Sequence, residues 1–251
     1  EGTDAISDPN YIFQMAEVFE EVYSFYIDTL NFSAPVSDPA SDDILYDVFV
    51  ENLPTYYFGI TYTKNTSVSS PACVSYIKMR NNYDGSQFSE HTELENVQVA
   101  AVHEFFHAIQ FSYNCYERFW FMEATAVWSE DELYNNVNDH YRYMSSWFSN
   151  INKSLDDESS HMYGSFIFFQ YIDEHLGGPN TIRLCWEKSH ELASPIQDNS
   201  IESINAALSD LGSSFEETYL KMRIANKIMN TKAGLYSYEE ADGYRSAGGY
   251  P

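Results

Sequence analysis

The chain has 251 residues, 44% of them apolar and 17% aromatic, enough for one large domain or two lobes around a cleft, which excludes a disordered chain. Its 38 acidic against 13 basic residues give a formal charge of −25, which argues against nucleic acid and anionic membranes as partners, since both are met by basic patches. No apolar run approaches the length of a membrane span, so no membrane segment is expected.

Residues 9–30 carry apolar side chains at helical spacing, among them Ile12, Met15, Val18, Val22 and Phe25. Asp8 stands where a helix cap belongs, followed by Pro9 in the first turn. Residues 31–43, NFSAPVSDPASDD, are turn formers and predict a loop. The period then changes to two. ILYDVFVEN and YYFGITYT read as strands separated by LPT, and CVSYIKMRNNY, 73–83, as a third. Residues 84–91 read as a loop. Helices are predicted over 92–112, 119–134, 138–149, 161–176, 179–192, 199–210 and 213–230, with Gly177, Gly178 and Pro179 breaking two of them apart. One helix, a small sheet and a run of helices make an α+β chain with its parts segregated. The Gly- and Tyr-rich stretch 233–251 reads as a linker or the start of a further domain. A start at Glu1, without Met or a signal-peptide pattern, reads as a processed or trimmed chain.

Cysteines stand at 73, 115 and 185, an odd number that fits no complete disulfide framework. One bridge, Cys73–Cys115 or Cys115–Cys185, and three buried thiols are both open readings. The triplets at Asn31, Asn65 and Asn152 matter only in a glycosylating host.

The stretch VAAVHEFFHAIQF, 99–111, holds two histidines four apart with a glutamate beside the first. Residues i and i+4 share a helix face, so His103 and His107 can direct two imidazoles at one metal. Glu104, rotated by about 100° from His103, can reach a water held at the same metal. That is the geometry of H-E-x-x-H zinc hydrolases, in which the glutamate is the general base. The bland alternative is a pair of surface helix histidines. It is weakened by Val99, Ala100, Val102, Phe106 and Ile109, which make this a core helix where histidines need partners. A catalytic zinc takes a third protein ligand. In FWFMEATAVWSEDELY, Glu123 is a lone carboxylate in an apolar stretch, costly unless paired or metal-bound. Glu123 is therefore the expected third ligand, ahead of Glu117 in the polar loop before it.

HEFFHAIQF followed by WFMEATAVWSEDELY resembles the gluzincin class of zinc metallopeptidases, where a glutamate ligand on a second helix follows the H-E-x-x-H helix. More narrowly, it resembles a largely uncharacterised group of secreted microbial metalloproteases. The likeness covers residues 95–175. It implies a zincin-like catalytic domain over 1–232, with a sheet-bearing lobe to about residue 112 and a helical lobe beyond it. It implies one catalytic Zn2+ held by His103, His107 and Glu123, with Glu104 as base, acting on a peptide or protein substrate. It also implies secretion or the cell surface; a monomer is expected. Where related gluzincins place an acidic residue four after the glutamate ligand, this chain has Val127. Glu130, seven after Glu123, returns to the same helix face and is the candidate to orient a histidine, against a plain surface carboxylate. In similar gluzincins a Tyr or His from a later helix stabilises the oxyanion. Tyr163, beside Gly164, is preferred over His161. In zincins an edge strand pairs with the substrate backbone, and 74–82 is the candidate for that strand.

The acidic stretches SDPASDD and LDDESS offer oxygen ligands for Ca2+ but lack EF-hand spacing, and read as solvated loops. Two other functions share the same residues. One is a metal-stabilised binding module without catalysis; the other is a zinc hydrolase of a non-peptide amide or ester.

Overall fold

The computed structural model describes residues 5–6, 8–40, 45–65, 70–194, 196–229, 236–241 and 243–244. The fold is α+β, as expected. It divides into two compact units, the first formed by residues 1–115 and 129–137, the second by 116–128 and 138–251.

In the first unit, helix α1 (Pro9–Tyr23) begins at Asp8, whose carboxylate accepts the amide of Asn10. Tyr11, Met15, Val18 and Val22 form its buried stripe, at spacings of three and four. The helical stretch expected to residue 30 continues as a wider π turn over Ser24–Thr29. Three strands follow: β1 (Val48–Glu51), β2 (Gly59–Asn65) and β3 (Val74–Arg80). Their order is β1-β3-β2, with β3 parallel to β1 and antiparallel to β2. The strand at 74–82 is therefore central and already paired on both sides, so the reading of it as the substrate-binding edge is corrected. Arg80 supplies the physical reason. Its guanidinium gathers the carbonyls of Leu53, Pro54 and Tyr57. This holds the β1–β2 connection at the end of β3, so β1 and β2 flank β3 instead of closing a hairpin with each other.

Helix α2 (Glu93–Tyr113) opens with a capping box. Thr92 Oγ1 accepts the Glu95 amide, while the Glu95 carboxylate accepts the Thr92 amide at 2.7 Å. Most of its side chains are buried, from Val97 to Ile109. Just past its end, Cys115 is bridged to Cys73 at the start of β3. The backbone amides of Cys73 and Cys115 also bond Phe111 O and Pro71 O. Closing a loop of 42 residues stabilises the fold by roughly 4 kcal/mol on a chain-entropy estimate.

Helix α3 (Phe119–Tyr134) contributes residues 119–128 to the second unit and 129–134 to the first. The second unit adds α4 (Tyr141–Ser149), α5 (His161–Gly164), α6 (Phe166–His175), α7 (Pro179–Leu192), α8 (Ser200–Asp210) and α9 (Phe215–Ile228). The helix expected over 161–176 is divided at Ser165. Its hydroxyl reaches the carbonyls of Leu155 and His161, a back-bond of the kind that bends helices. Gly177 and Gly178 both have positive φ before Pro179 opens α7. Phe121 stacks on Trp186 at 4.1 Å in this unit's core, where Cys185 is a buried free thiol.

Residues 236–241 and 243–244, in the stretch read as a linker, are built into the second unit. Tyr238 and Tyr244 are buried there, and the Tyr238 hydroxyl donates to Asn226 Oδ1. Residues 233–235, 242 and 245–251 lie outside the described residues. Among the described residues no helix is long and apolar enough to cross a membrane.

Candidate metal centre

One turn of α2 separates His103 from His107, and their ring centroids stand 4.8 Å apart. Each imidazole has its Nδ1 committed. His103 Nδ1 lies 2.6 Å from Glu130 Oε1, on the last turns of α3, and Glu130 is only 4% exposed. His107 Nδ1 lies 2.8 Å from Oε1 of the fully buried Gln110. A carboxylate oxygen and an amide oxygen are acceptors, so both Nδ1 atoms carry the proton. In the neutral imidazole this arrangement leaves the lone pair on Nε2, the form in which a histidine binds a metal.

Glu123 and Glu130 lie two turns apart on α3 and so share a face. His103, His107 and Glu123 each offer one ligand atom, and these atoms all lie within 4.8 Å of one another. Two imidazoles and a carboxylate match the donor set and number of a catalytic zinc, and suit it better than calcium or magnesium, which prefer oxygen.

Glu104 is buried against β2. Thr61 Oγ1 lies 2.7 Å from its Oε2 and 2.8 Å from its main-chain oxygen. Tyr163 belongs to the second unit, where its ring stacks on Tyr143 at 5.2 Å. Glu117, the runner-up ligand, is also in that unit. Its buried carboxylate accepts from the Ser189 hydroxyl and the Asn199 amide, and burial raises its pKa. In the LDDESS stretch, Asp156 pairs with Arg118 and Asp157 accepts from Ser159, so both are used within the protein.

Three residues at this site carried no role in the sequence reading: Gln110, Thr61 and Gly59, where an added Cβ would lie 2.6 Å from Glu104 Cγ. Gln110 had a signal: it stands three after His107, on the same helix face. Thr61 and Gly59 had none, because nothing in a strand of alternating residues shows which helix residue it will meet.

Compared with known proteins, the chain matches a family of unknown function, DUF6055, over residues 3–205. No curated protein and no solved structure gives a match.

Proposed function

The chain belongs to DUF6055, whose function is unknown, and from its own residues we propose that it is a zinc-dependent peptidase, acting as an endopeptidase. The observation that carries this reading is the placement of a buried oxygen acceptor behind each ring, Glu130 Oε1 at 2.6 Å from His103 Nδ1 and Gln110 Oε1 at 2.8 Å from His107 Nδ1. Buried Glu130 and Gln110 aim both Nε2 atoms outward from one helix face. Two surface histidines have no use for a buried glutamate and a fully buried glutamine behind them.

His103, His107 and Glu123 would hold the ion. Zinc supplies Lewis-acid activation of water and of a scissile carbonyl. Glu104 takes the proton of the attacking water on its carboxylate and delivers it to the leaving amine nitrogen. Tyr163 is the proposed hydrogen-bond donor to the developing oxyanion, a role that rests on resemblance. The substrate backbone adds to the sheet at β2, which ends the strand order on the side whose residues meet Glu104. The Cys73–Cys115 bridge supports an oxidising destination, at the cell surface or outside the cell. A chain of charge −25 favours basic over acidic substrates through long-range attraction, an effect that salt weakens.

Cleavage of casein by the zinc-loaded chain, beside Glu104→Gln, tests the proposal. The substitution should lower the rate by about a hundredfold to ten-thousandfold and leave zinc content unchanged. Equal cleavage by both proteins would mean another base or a contaminant. No cleavage by a folded, zinc-loaded chain would favour a non-catalytic binding module or a non-peptide substrate.

A further inference from the structure

A glutamate side chain has several rotatable bonds, and a general base works only when its carboxylate is held within a narrow range of positions. In this protein a strand contributes to that holding, across from the helix that carries the glutamate. Gly59 and Thr61 are two apart on β2, so they face the same side of the sheet. Thr61 uses one hydroxyl to reach both the carboxylate and the main-chain oxygen of Glu104. The single hydroxyl proton is donated to one of these two oxygens at a time or shared between them, and the shorter distance is to the carboxylate, at 2.7 Å. Gly59 supplies the room. A Cβ at that position would lie 2.6 Å from Glu104 Cγ and 3.2 Å from both its Cδ and the sulfur of Met79. Any larger residue there would move the glutamate.

We infer that β2 is the positioning element of Glu104: Thr61 fixes its carboxylate, and Gly59 leaves the space in which its side chain lies. The inference rests on the peptidase reading for its consequence in catalysis and on the geometry alone for its consequence in structure. Thr61 acts through Glu104 and is a positioning residue.

The test uses the full chain with Thr61→Val, which keeps the shape and loses the hydroxyl, Thr61→Ser, which keeps the hydroxyl, and Gly59→Ala. Two readouts are taken: kcat and KM on a casein-derived peptide with zinc loaded, and the position of the Glu104 carboxylate in metal-free crystals. Thr61→Val should lose about tenfold to a hundredfold in kcat, with KM and zinc content within about twofold of the parent. Thr61→Ser should stay within about threefold of the parent kcat, and Gly59→Ala should fall with the valine variant. In the crystals the carboxylate should leave its place in the valine and alanine variants and keep it in the serine variant. A valine variant with parental kcat and an unmoved carboxylate would overturn the inference, as would a serine variant that falls as far as valine. Should the unaltered chain cleave nothing, the peptidase reading fails, and the crystals alone decide whether β2 sets Glu104.

Discussion

The turn of α2 that carries His107 and the turn of α5 around His161 both bury an imidazole. They use it in opposite ways. On α2 the rings are backed by oxygen acceptors, Glu130 and Gln110, so each nitrogen has an assigned role. On α5, His161 is 2% exposed and its ring lies flat on Trp147 at 4.5 Å. Among the described residues its Nδ1 has no hydrogen-bond partner, and burial lowers its pKa. It works as a flat apolar plate. Burial of a histidine therefore says little about chemistry. The atom behind the ring says much more, because it decides which nitrogen faces forward.

The largest test of that contrast removes a ring from each turn. His107→Ala should take bound zinc from about one ion per chain to nearly none and abolish cleavage, while His161→Phe should leave zinc content unchanged. Emission spectroscopy on dialysed protein reads both, and equal zinc in the two variants would erase the distinction. A smaller effect separates the two backing residues. Glu130→Gln should weaken zinc binding by about tenfold to a hundredfold in a chelator competition, and Gln110→Ala by less, because a charge-assisted bond to a histidine is the stronger support. A larger loss at Gln110 would reverse that ranking. The smallest effect concerns stability. With its folded pKa below the ordinary 6.5, His161 stays neutral while the unfolded chain takes up a proton. Stability should thus fall as pH drops below about 6.5 towards the lowered folded value, and show no such term above it. His161→Phe keeps the stacking and lacks the term. Its urea midpoint relative to the parent should therefore be higher at pH 5.5 than at pH 7.5, and an unchanged difference would count against a neutral buried His161.

Elements held by local rules could be read from the sequence. The helix predicted at 92–112 spans Glu93–Tyr113, since a capping box and an apolar 3.6-residue period both act within a few residues. Helix α3 was likewise legible over 119–134. Strand order was not. It depends on Arg80 drawing three carbonyls from residues 53–57, an interaction between segments more than twenty residues apart. The break at Ser165 was missed because its hydroxyl competes with the helix through Leu155, ten residues upstream. The candidate site divides along the same line. His103, Glu104 and His107 are spaced by the helix itself. The residues that would make Glu104 effective come from β2, forty-odd positions earlier, where only the folded chain brings them near.

The bridge between Cys73 and Cys115 closes a covalent ring that contains all of β3 and all of α2, and with them His103, Glu104 and His107. If the chain is a peptidase that works outside the cell, as proposed above, it is exposed to cleavage by its own kind. One cut anywhere inside this ring leaves two pieces still joined through sulfur, so the nicked molecule stays in one part until it is reduced.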